Sequence, residues 1–148
     1  KREGVVCKEV EKPSLVWHLV REVLAEHHEV KPVHNEIEID YLKDKFPNNI
    51  KAYAAFHNDA IVSACVTFET TDVVHTQYLA SNRIGRDTRA LDMLIDFVIC
   101  ESAAYAKVFD FGISNENNGK YLNSGLIHQK ESFGARAIVY DLYSVDLT

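Results

Sequence analysis

Three features are scarce or missing in this 148-residue chain: cysteine, long apolar runs and net positive charge. The three cysteines are an odd number and lie in apolar stretches, where a free thiol behaves as a small hydrophobe. No disulfide framework is expected, and a reducing, cytoplasmic compartment is favoured. The longest apolar candidate, Leu91 to Cys100, is interrupted by Asp92 and Asp96 and is shorter than the roughly eighteen residues of a membrane span. A membrane-spanning segment is therefore not expected.

The formal net charge is −6 at pH 7, with 16 basic and 22 acidic residues. A broad nonspecific surface for DNA or RNA needs a net basic face, so this class of function is disfavoured, although a local basic patch stays open. The length suits one domain that buries roughly two-thirds of the surface of its unfolded chain. Residues 1–148 are therefore interpreted as a single domain, or as a fragment of a longer chain, since residue 1 is a lysine.

The first half of the chain changes from helical to strand periodicity. A short strand is predicted at Val5–Val10, then a helix over Leu15–His28 with Ser14 as its cap. Asn35 and Glu38 are spaced as a capping box for a second helix. Its predicted inner face is Ile37, Tyr41, Leu42 and Phe46. Alternation then predicts three antiparallel strands, at Ile50–His57, Ala60–Glu69 and Val73–Ala80, with Asn58 and Asp59 as turn residues.

The second half alternates between helix and strand. The predicted elements are a helix at Asp87–Ala106, a strand at Val108–Ile113, a helix at Asn117–Lys130 and a last strand at Ala137–Leu147. A helix between two strands implies a crossover, so the strand at Val108 should lie parallel to the one that ends at Ala80. The fold class is thus α/β, with a mixed, mostly antiparallel sheet that contains one parallel pair and is flanked by helices.

A basic loop joins the strand that ends at Ala80 to the next helix. Three arginines and a glycine lie in it, Arg83, Gly85, Arg86 and Arg89. Unpaired N–H groups at a helix start favour an anion, and arginine adds bidentate donors that suit phosphate oxygens. The loop is interpreted as a pyrophosphate site, since ligands bind beyond the carboxyl ends of strands where the strand order splits. The alternative is a solvated charged loop in which Asp87 caps the helix.

At this point the sequence resembles the GNAT superfamily of acyltransferases, and within it the FemAB-like branch. The order of elements is similar over nearly the whole chain, with the last strand of the superfamily missing or supplied elsewhere. Three segments carry the FemAB-like similarity: residues His75 to Ser81, Phe109 to Ser114, and Gly125 to Arg136. The resemblance implies a GNAT-like acyl-CoA N-acyltransferase fold and an enzyme that transfers an acetyl or other acyl group from coenzyme A to an amine.

The resemblance also implies a donor site. The backbone of Leu79, Ala80 and Ser81 would pair with the pantetheine arm of coenzyme A. The pyrophosphate would be held by residues Arg83, Ile84, Gly85, Arg86, Asp87, Thr88, Arg89 and Ala90. The family's phosphate loop is Arg or Gln, two residues, Gly, one residue, then Gly or Ala. Here Gly85 follows Arg83 after one intervening residue, and no second glycine follows.

Transfer to an amine needs a base, stabilisation of the carbonyl oxygen and a proton for the leaving thiolate. By resemblance, a backbone N–H near Leu79 would stabilise the oxygen. The superfamily often places a tyrosine five residues before a helical phenylalanine that matches Phe133, and that position is His128 here. His128 and Tyr121 are the two candidate proton donors. His128 on the polar face of an amphipathic helix, without a catalytic role, is the alternative.

The candidate bases are Glu69 and His75, both near the turn between the third and fourth strands. A strand-end glutamate is often solvated and a strand histidine often only packs, so neither is decided by sequence. Asp110 points opposite its aromatic neighbours, toward either the cleft or a backbone N–H. His27, His28 and His34 do not complete a zinc pattern, because Pro32 interrupts them and no cysteine or carboxylate spacing follows. No metal is expected.

The acceptor is expected to be a small-molecule amine or a peptide. Two alternatives stay open: FemAB-type aminoacyl transfer from aminoacyl-tRNA to a cell-wall precursor, which the acidic charge disfavours, and a degenerate domain that only binds. If the final strand is absent, a homodimer partner or an upstream domain is expected to cover the sheet edge.

Overall fold

The structure, a computed structural model, describes residues 4–28, 32–141 and 143–145, with residues 27 and 28 described in backbone only. The chain divides into two compact units, residues 1–112 and 113–148. The single-domain interpretation of the sequence stays a prediction. No helix of the described residues is long and apolar enough to cross a membrane.

The first unit is built on a five-stranded sheet with the order β1-β2-β3-β4-β5. Its four antiparallel strands are joined to β5 by a parallel pairing of β4 with β5. The first three strands match the predicted bounds. The strands are β1 Val5–Val10, β2 Ile50–His57, β3 Ala60–Glu69, β4 Val73–Ser81 and β5 Val108–Asp110.

Helices cover both faces of the sheet. The first face carries α1 (Ser14–His28) and α2 (Glu36–Lys45), and its core includes Trp17 and Ile39. The second face carries α4 (Ala90–Ser102), whose Leu94 and Val98 pack on Tyr53 and Cys65. A five-residue helix, α3 (Arg83–Asp87), precedes α4. The mixed α/β class with one parallel pair is confirmed.

Local hydrogen bonds explain most of the element ends. Asn35 caps α2 in the predicted capping box, since its side chain accepts from the N–H of Glu38 and the Glu38 side chain accepts from the N–H of Asn35. Asn58 and Asp59 have φ values of 49° and 63°, as a two-residue hairpin turn requires. Ser14 is the first residue of α1 rather than its cap.

The predicted inner face of α2 is correct at Leu42 and wrong at its other three residues. Ile37, Tyr41 and Phe46 are exposed, whereas Ile39 is buried and Leu42 packs against the core. Two overlapping apolar stripes run along this short helix, and only the packing of the whole unit decides between them.

The helix predicted over Asp87–Ala106 is interrupted. Thr88 ends α3, and Arg89 has the left-handed backbone conformation (φ 54°) before α4 begins at Ala90. The following strand is shorter than predicted, since β5 ends at Asp110. Gly112, at φ 69°, turns the chain out of the strand.

The second unit differs most from the prediction. The helix predicted over Asn117–Lys130 is confirmed only from Ser124, since a hairpin of β6 (Asn115–Glu116) and β7 (Tyr121–Leu122) precedes α5 (Ser124–Ser132). Asn117, Asn118 and Gly119 all have positive φ and form the hairpin turn. The predicted strand at Ala137–Leu147 is also wrong over its described residues, 137–141 and 143–145, which form neither strand nor helix.

Candidate active site

The parallel strands β4 and β5 separate after a short common stretch. Their ladder consists of three pairs, Val73 with Val108, Val74 with Phe109 and His75 with Asp110. Beyond His75, β4 continues to Ser81, and none of the described residues pairs with it on the β5 side. The result is a notch between the two strands, and the parallel pairing at its base is the one that the sequence predicted. Backbone groups of β4 along the notch are available to an extended, amide-containing ligand.

A β-bulge lies in β4 where the notch opens. Thr76 pairs with Thr67 and Tyr78 pairs with Val66, so Gln77 is an extra residue opposite β3. A bulge bends its strand and increases the local twist, which turns β4 away from its former direction. The bulge therefore contributes to the separation of β4 from β5.

His75 and Asp110 form a hydrogen-bonded dyad at the base of the notch. The Nδ1 atom of His75 lies 2.8 Å from Oδ2 of Asp110. The other carboxylate oxygen, Oδ1, accepts a hydrogen bond of 2.8 Å from the N–H of Gly112. Both side chains are partly exposed, at 34% for His75 and 44% for Asp110. The carboxylate is thus held from both sides, while the histidine ring stays accessible to solvent.

This arrangement determines the ring tautomer. An ionised carboxylate only accepts hydrogen bonds, so Nδ1 of His75 carries the proton that it donates to Asp110. In the neutral ring the Nε2 atom then carries the lone pair. An oriented histidine with a free Nε2 lone pair is the arrangement of a general base.

Aromatic and histidine side chains continue from the dyad along the same face of the sheet. Phe68 is the cross-strand partner of His75, and the His34 ring lies 6.2 Å from the Phe68 ring. His34 Nδ1 is hydrogen-bonded to the hydroxyl of Tyr78 at 2.9 Å, and Trp17 donates to the His34 carbonyl oxygen at 3.2 Å. His34 therefore belongs to this face of the sheet. The side chains of His27 and His28 lie outside the described residues.

His34 also lines a surface cleft of about 730 Å³ beside α1 and the start of α2. Three carboxylates line this cleft, Glu22, Glu36 and Glu38, against one arginine, Arg21, which pairs with Glu36 at 3.1 Å. The Glu38 carboxylate also takes part in the capping box. The cleft is accordingly acidic.

The loop after β4 is held tightly against the sheet. Asn82 caps α3 by accepting from the N–H of Gly85, and Arg86 donates to the carbonyl oxygen of Ser81 at 2.7 Å. A Cβ atom on Gly85 would overlap the Val62 carbonyl oxygen and the hydroxyls of Ser63 and Ser81. Gly85 is therefore a close-packing residue, and Arg86 stabilises the corner between β4 and α3.

The start of α4 is the more open part of this loop. Arg89 has a left-handed backbone, and within the described chain no side chain caps this helix start. Arg89 follows Arg86 after two intervening residues, so the left-handed position falls at the spacing where the family pattern has its first glycine. The side chains of Arg83 and Arg89 are 90% and 63% exposed and pair with Asp87 and Asp92.

The structure does not bring Glu69 together with His75. Glu69 is the residue after Phe68 on β3, and successive strand side chains point to opposite faces. Its side chain is 3% exposed and accepts from Thr67 Oγ1 at 2.8 Å and Tyr105 at 2.9 Å, with Lys51 Nζ at 3.0 Å. Glu69 is a buried, fully bonded carboxylate on the α4 side of the sheet.

The two candidate proton donors belong to the second unit. His128 is an exposed residue of α5, and Tyr121 is an exposed residue of β7. Tyr121 is not two helical turns before His128, because the chain between them turns from a hairpin into a helix.

Sequence reasoning left Asp110 undecided and did not single out Lys51 or Tyr105. The bond of Asp110 to the Gly112 N–H could have been predicted from the motif Phe109-Asp110-Phe111-Gly112. An aspartate two residues before a glycine is typical of a side chain that bonds its own turn.

No protein-family model and no curated protein matches the chain. Solved structures do match its fold. A possible acetyltransferase from Clostridium difficile 630 is 12% identical, with 99% of both chains covered and a TM-score of 0.71. An aminoglycoside acetyltransferase from an uncultured soil metagenomic sample, in complex with sisomicin, is 10% identical over 96% of this chain and 97% of its own, with a TM-score of 0.68.

A third match is a GNAT family acetyltransferase from Elizabethkingia anophelis with acetyl-CoA bound, which is 14% identical over 93% of this chain and 79% of its own, with a TM-score of 0.61. The chain therefore has the fold of the GNAT acetyltransferases. Its structural neighbours are acetyltransferases, and the identities establish the fold alone.

Proposed function

We propose that this chain is an N-acyltransferase that transfers an acetyl or other acyl group from coenzyme A to a primary amine. The observation that carries the proposal is the notch between β4 and β5 with an oriented histidine at its base. The fold supports it, because an acetyl-CoA-bound acetyltransferase shares the same architecture. A notch alone would accommodate many ligands, whereas the His75–Asp110 dyad adds a candidate general base beside it.

The donor thioester is proposed to lie in the notch with its pantetheine amides along Leu79, Ala80 and Ser81. The pyrophosphate is proposed to lie against residues 83–90, with Arg83 and Arg89 as the accessible cations. Uncapped N–H groups at the start of α4 favour the same anion. Arg86 contributes by keeping the corner in place, since its guanidinium bonds the Ser81 carbonyl oxygen.

The reacting ammonium group first loses one proton to solvent, and the neutral amine nitrogen then attacks the thioester carbonyl directly. The C–N bond forms, the C–S bond breaks, and the nitrogen loses one proton to Nε2 of His75. A backbone N–H near Leu79 would stabilise the carbonyl oxygen as it gains charge. Asp110 is a positioning residue, because it orients His75 and stabilises the imidazolium that forms without itself contacting the substrate.

The proposed acceptor is a cationic small-molecule amine. The acidic cleft supports this class, since Glu22 and its neighbouring carboxylates attract ammonium groups. His34 supports a route from the cleft to the sheet, because it lines the cleft and bonds Tyr78 on β4. An aminoglycoside acetyltransferase with the same fold has been solved in complex with sisomicin. Aminoglycosides and polyamines are therefore the first acceptors to test, and peptides the second.

The leaving thiolate needs a proton to become free coenzyme A. His128 and Tyr121 stay the candidates, and kinetics can separate them without reference to geometry. If one of them is the donor, His128→Ala or Tyr121→Phe will lower kcat for acetyl-CoA. The other variant will then keep wild-type kinetics.

Calorimetry with acetyl-CoA tests the donor before any acceptor is chosen. We expect saturable binding that weakens at least tenfold in the Arg83→Ala/Arg89→Ala double variant, as two charge-assisted phosphate contacts require. Arg21→Ala is the matched control, because it removes an exposed arginine from α1 and should leave binding unchanged. Turnover is then measured by thiol release with an amine panel. Wild-type protein that does not bind acetyl-CoA would refute the proposed donor.

Other outcomes would support the alternatives. Steeply salt-dependent binding of aminoacyl-tRNA would favour FemAB-type transfer, and acetyl-CoA binding without turnover of any amine would favour a degenerate binding domain. We place the enzyme in the cytoplasm, because Cys7, Cys65 and Cys100 are free thiols. The outer strand β5 is a candidate surface for a homodimer or a further domain, and gel filtration would show which.

A further inference from the structure

A charged cluster surrounds the buried carboxylate of Glu69 on the α4 side of the sheet, near the point where β5 begins. The other two members are more open, since Lys51 is half-buried and Tyr105 is 44% exposed. The hydroxyl of Tyr105 donates to Oε2 of Glu69 at 2.9 Å and accepts from Nζ of Lys51 at 2.9 Å. Lys51 Nζ lies 3.0 Å from the same carboxylate oxygen and 4.4 Å from the centre of the Tyr105 ring. Three side chains from β2, β3 and the connection after α4 thus bond one another.

The cluster depends on each of its members. A carboxylate as buried as Glu69 is costly unless it is paired and hydrogen-bonded, and Thr67 and Tyr105 supply hydrogen bonds beside the Lys51 ion pair. Burial alone would lower the pKa of Lys51, but its hydrogen bonds to Tyr105 and Glu69 and the negative charge of Glu69 raise the pKa above its ordinary value. Lys51 is therefore held as a cation, which makes it a structural partner and a poor nucleophile.

Tyr105 is the member that connects the cluster to the active-site strand. It lies three residues before Val108, in the segment that leads from α4 to β5. The next residues are fastened to the β3–β4 turn, since the N–H groups of Lys107 and Val108 both donate to the Asp72 carbonyl oxygen, at 2.9 Å and 3.0 Å. The entry to β5 is therefore held by its backbone at Asp72 and by a side chain at Tyr105.

The position of β5 matters because its ladder is short. Only three residue pairs join it to β4, and the last pair is His75 with Asp110. Glu69 itself pairs with Val74, the residue before His75. Tyr105 thus bonds Glu69, whose cross-strand partner Val74 precedes His75. The segment that contains Tyr105 leads into β5, which carries Asp110.

We propose that Tyr105 is a positioning residue that aligns Asp110 with His75 by fixing the start of β5 against Glu69 and Lys51. This inference rests on the proposed function only for its kinetic readout. A shift of β5 along β4 lengthens the His75–Asp110 hydrogen bond, and a misplacement of about 1 Å in a catalytic constellation can cost about a hundredfold in rate.

The test is Tyr105→Phe, which removes one hydroxyl and keeps the ring. Long-range ¹⁵N–¹H correlation spectra report the tautomer of His75 without any substrate. We expect a single Nδ1-protonated tautomer in wild-type protein, and a mixture of tautomers in Tyr105→Phe and in the reference variant Asp110→Asn. With an active acceptor, we expect kcat to fall about tenfold to a hundredfold while KM for acetyl-CoA stays within twofold.

Lys107→Met is the matched control. It removes an exposed ion pair with Asp72 from the same connection but keeps the backbone bonds, so the tautomer and kcat should be unchanged. Glu69→Gln is the second variant, since it keeps the shape of Glu69 but removes its charge, and it should reproduce the tautomer mixture of Tyr105→Phe. A wild-type tautomer and wild-type kcat in a folded Tyr105→Phe protein would overturn the inference. A lack of turnover in wild-type protein refutes the proposed function, and the tautomer spectra then still decide the role of Tyr105.

Discussion

At the scale of single residues, the active-site proposal depends on two side chains that lie 35 positions apart in sequence. Parallel pairing of β4 with β5 brings them together, and the turn at Gly112 fixes the carboxylate that orients the imidazole. The strand pairing is not local in sequence, whereas the bond from Gly112 to Asp110 spans only two residues. His75 without Asp110 would be an ordinary strand histidine, and the pair is what makes it a candidate base.

Replacement of His75 by glutamine should lower kcat/KM for amine acylation by about a hundredfold to ten thousandfold, the usual contribution of a general base. The side chain keeps a similar size but loses the basic nitrogen. Steady-state thiol release across pH measures the effect, and acetyl-CoA affinity should be retained. His57→Gln, a change at the far end of β2, is the control that should leave kcat/KM unaltered. Equal rates in wild-type and His75→Gln proteins would exclude His75 as the base.

Replacement of Asp110 by asparagine should also lower kcat, because an amide nitrogen offered to Nδ1 favours the wrong tautomer of His75. We expect a loss of at least tenfold, with the double variant His75→Gln/Asp110→Asn no slower than His75→Gln alone. A double-mutant cycle on kcat measures this coupling. Additive losses would show that the two residues act independently.

The cluster of Glu69, Lys51 and Tyr105 predicts how the free energy of unfolding changes at alkaline pH. The pKa of Tyr105 is raised by burial and by Glu69, and that of Lys51 is raised by its bonds to Tyr105 and Glu69 in spite of burial. Above about pH 10 the native state then holds more protons than the unfolded state, so the free energy of unfolding falls as pH rises. Urea unfolding between pH 8 and 11.5 should show a less steep fall for Tyr105→Phe than for wild-type protein. Parallel curves would contradict the assigned bonds.

Residue roles could be predicted only where a neighbouring pattern reported them. His75 was a candidate from its position near a strand start, but its partner and its face depended on the register of three strands. Glu69 was a candidate on the same evidence and lies on the opposite face, because one residue along a strand reverses the side chain. Tyr105 lies in an irregular connection with no periodicity, so nothing local marks its contact with Glu69.

At the scale of elements, close packing fixes the position of the loop between β4 and α4. Gly85 lies against Val62, Ser63 and Ser81, so the backbone of α3 packs directly on the sheet. The hydroxyls of Ser63 and Ser81 bond each other at 2.8 Å beneath it. This contact fixes where the chain turns toward Arg89 and the start of α4.

Gly85→Ala should therefore destabilise the protein by about 1–3 kcal/mol, as an added methyl group does in a well-packed site. It should also weaken acetyl-CoA binding, because the corner must move outward. Urea denaturation and calorimetry measure the two effects. Gly125→Ala is the control, since a Cβ there meets only the Asn123 side chain at 3.5 Å and alanine suits a helix better than glycine. Wild-type stability in Gly85→Ala would show that α3 does not need this close approach.

Element prediction succeeded where burial selects apolar residues and failed where turn chemistry decides. The strands from Ile50 to Glu69 are buried over most of their length, because one face meets α1 and the other α4. In the second unit, the apolar positions after Asn117 suggested a helix, but Asn117, Asn118 and Gly119 are the residues that tolerate positive φ in a hairpin turn. The break at Arg89 had no comparable mark, because arginine rarely adopts a left-handed backbone.

At the scale of the whole molecule, a net charge of −6 limits the donors that the chain can use. Tight binding of a polyphosphate chain such as tRNA requires many lysine and arginine contacts, whereas a coenzyme A tail requires a few. The basic loop supplies three exposed arginines, of which Arg86 is bonded to the Ser81 carbonyl oxygen, in a protein with a net negative charge. The global charge and the local arginines together favour a small donor.

We therefore expect acetyl-CoA binding near physiological salt, about 0.15 M, and no measurable binding of total tRNA under the same conditions. Fluorescence anisotropy over a salt series measures RNA binding, and the donor affinity is measured in parallel. Lowering the salt should not rescue RNA binding, because a net acidic protein gains repulsion as screening weakens. A slope of several units in a plot of log RNA affinity against log salt concentration would mean that several phosphates are contacted. That result would favour aminoacyl-tRNA as the donor. In that case the arginines before α4 would be one part of a larger basic path, and charge reversal at Arg89 would reduce the slope.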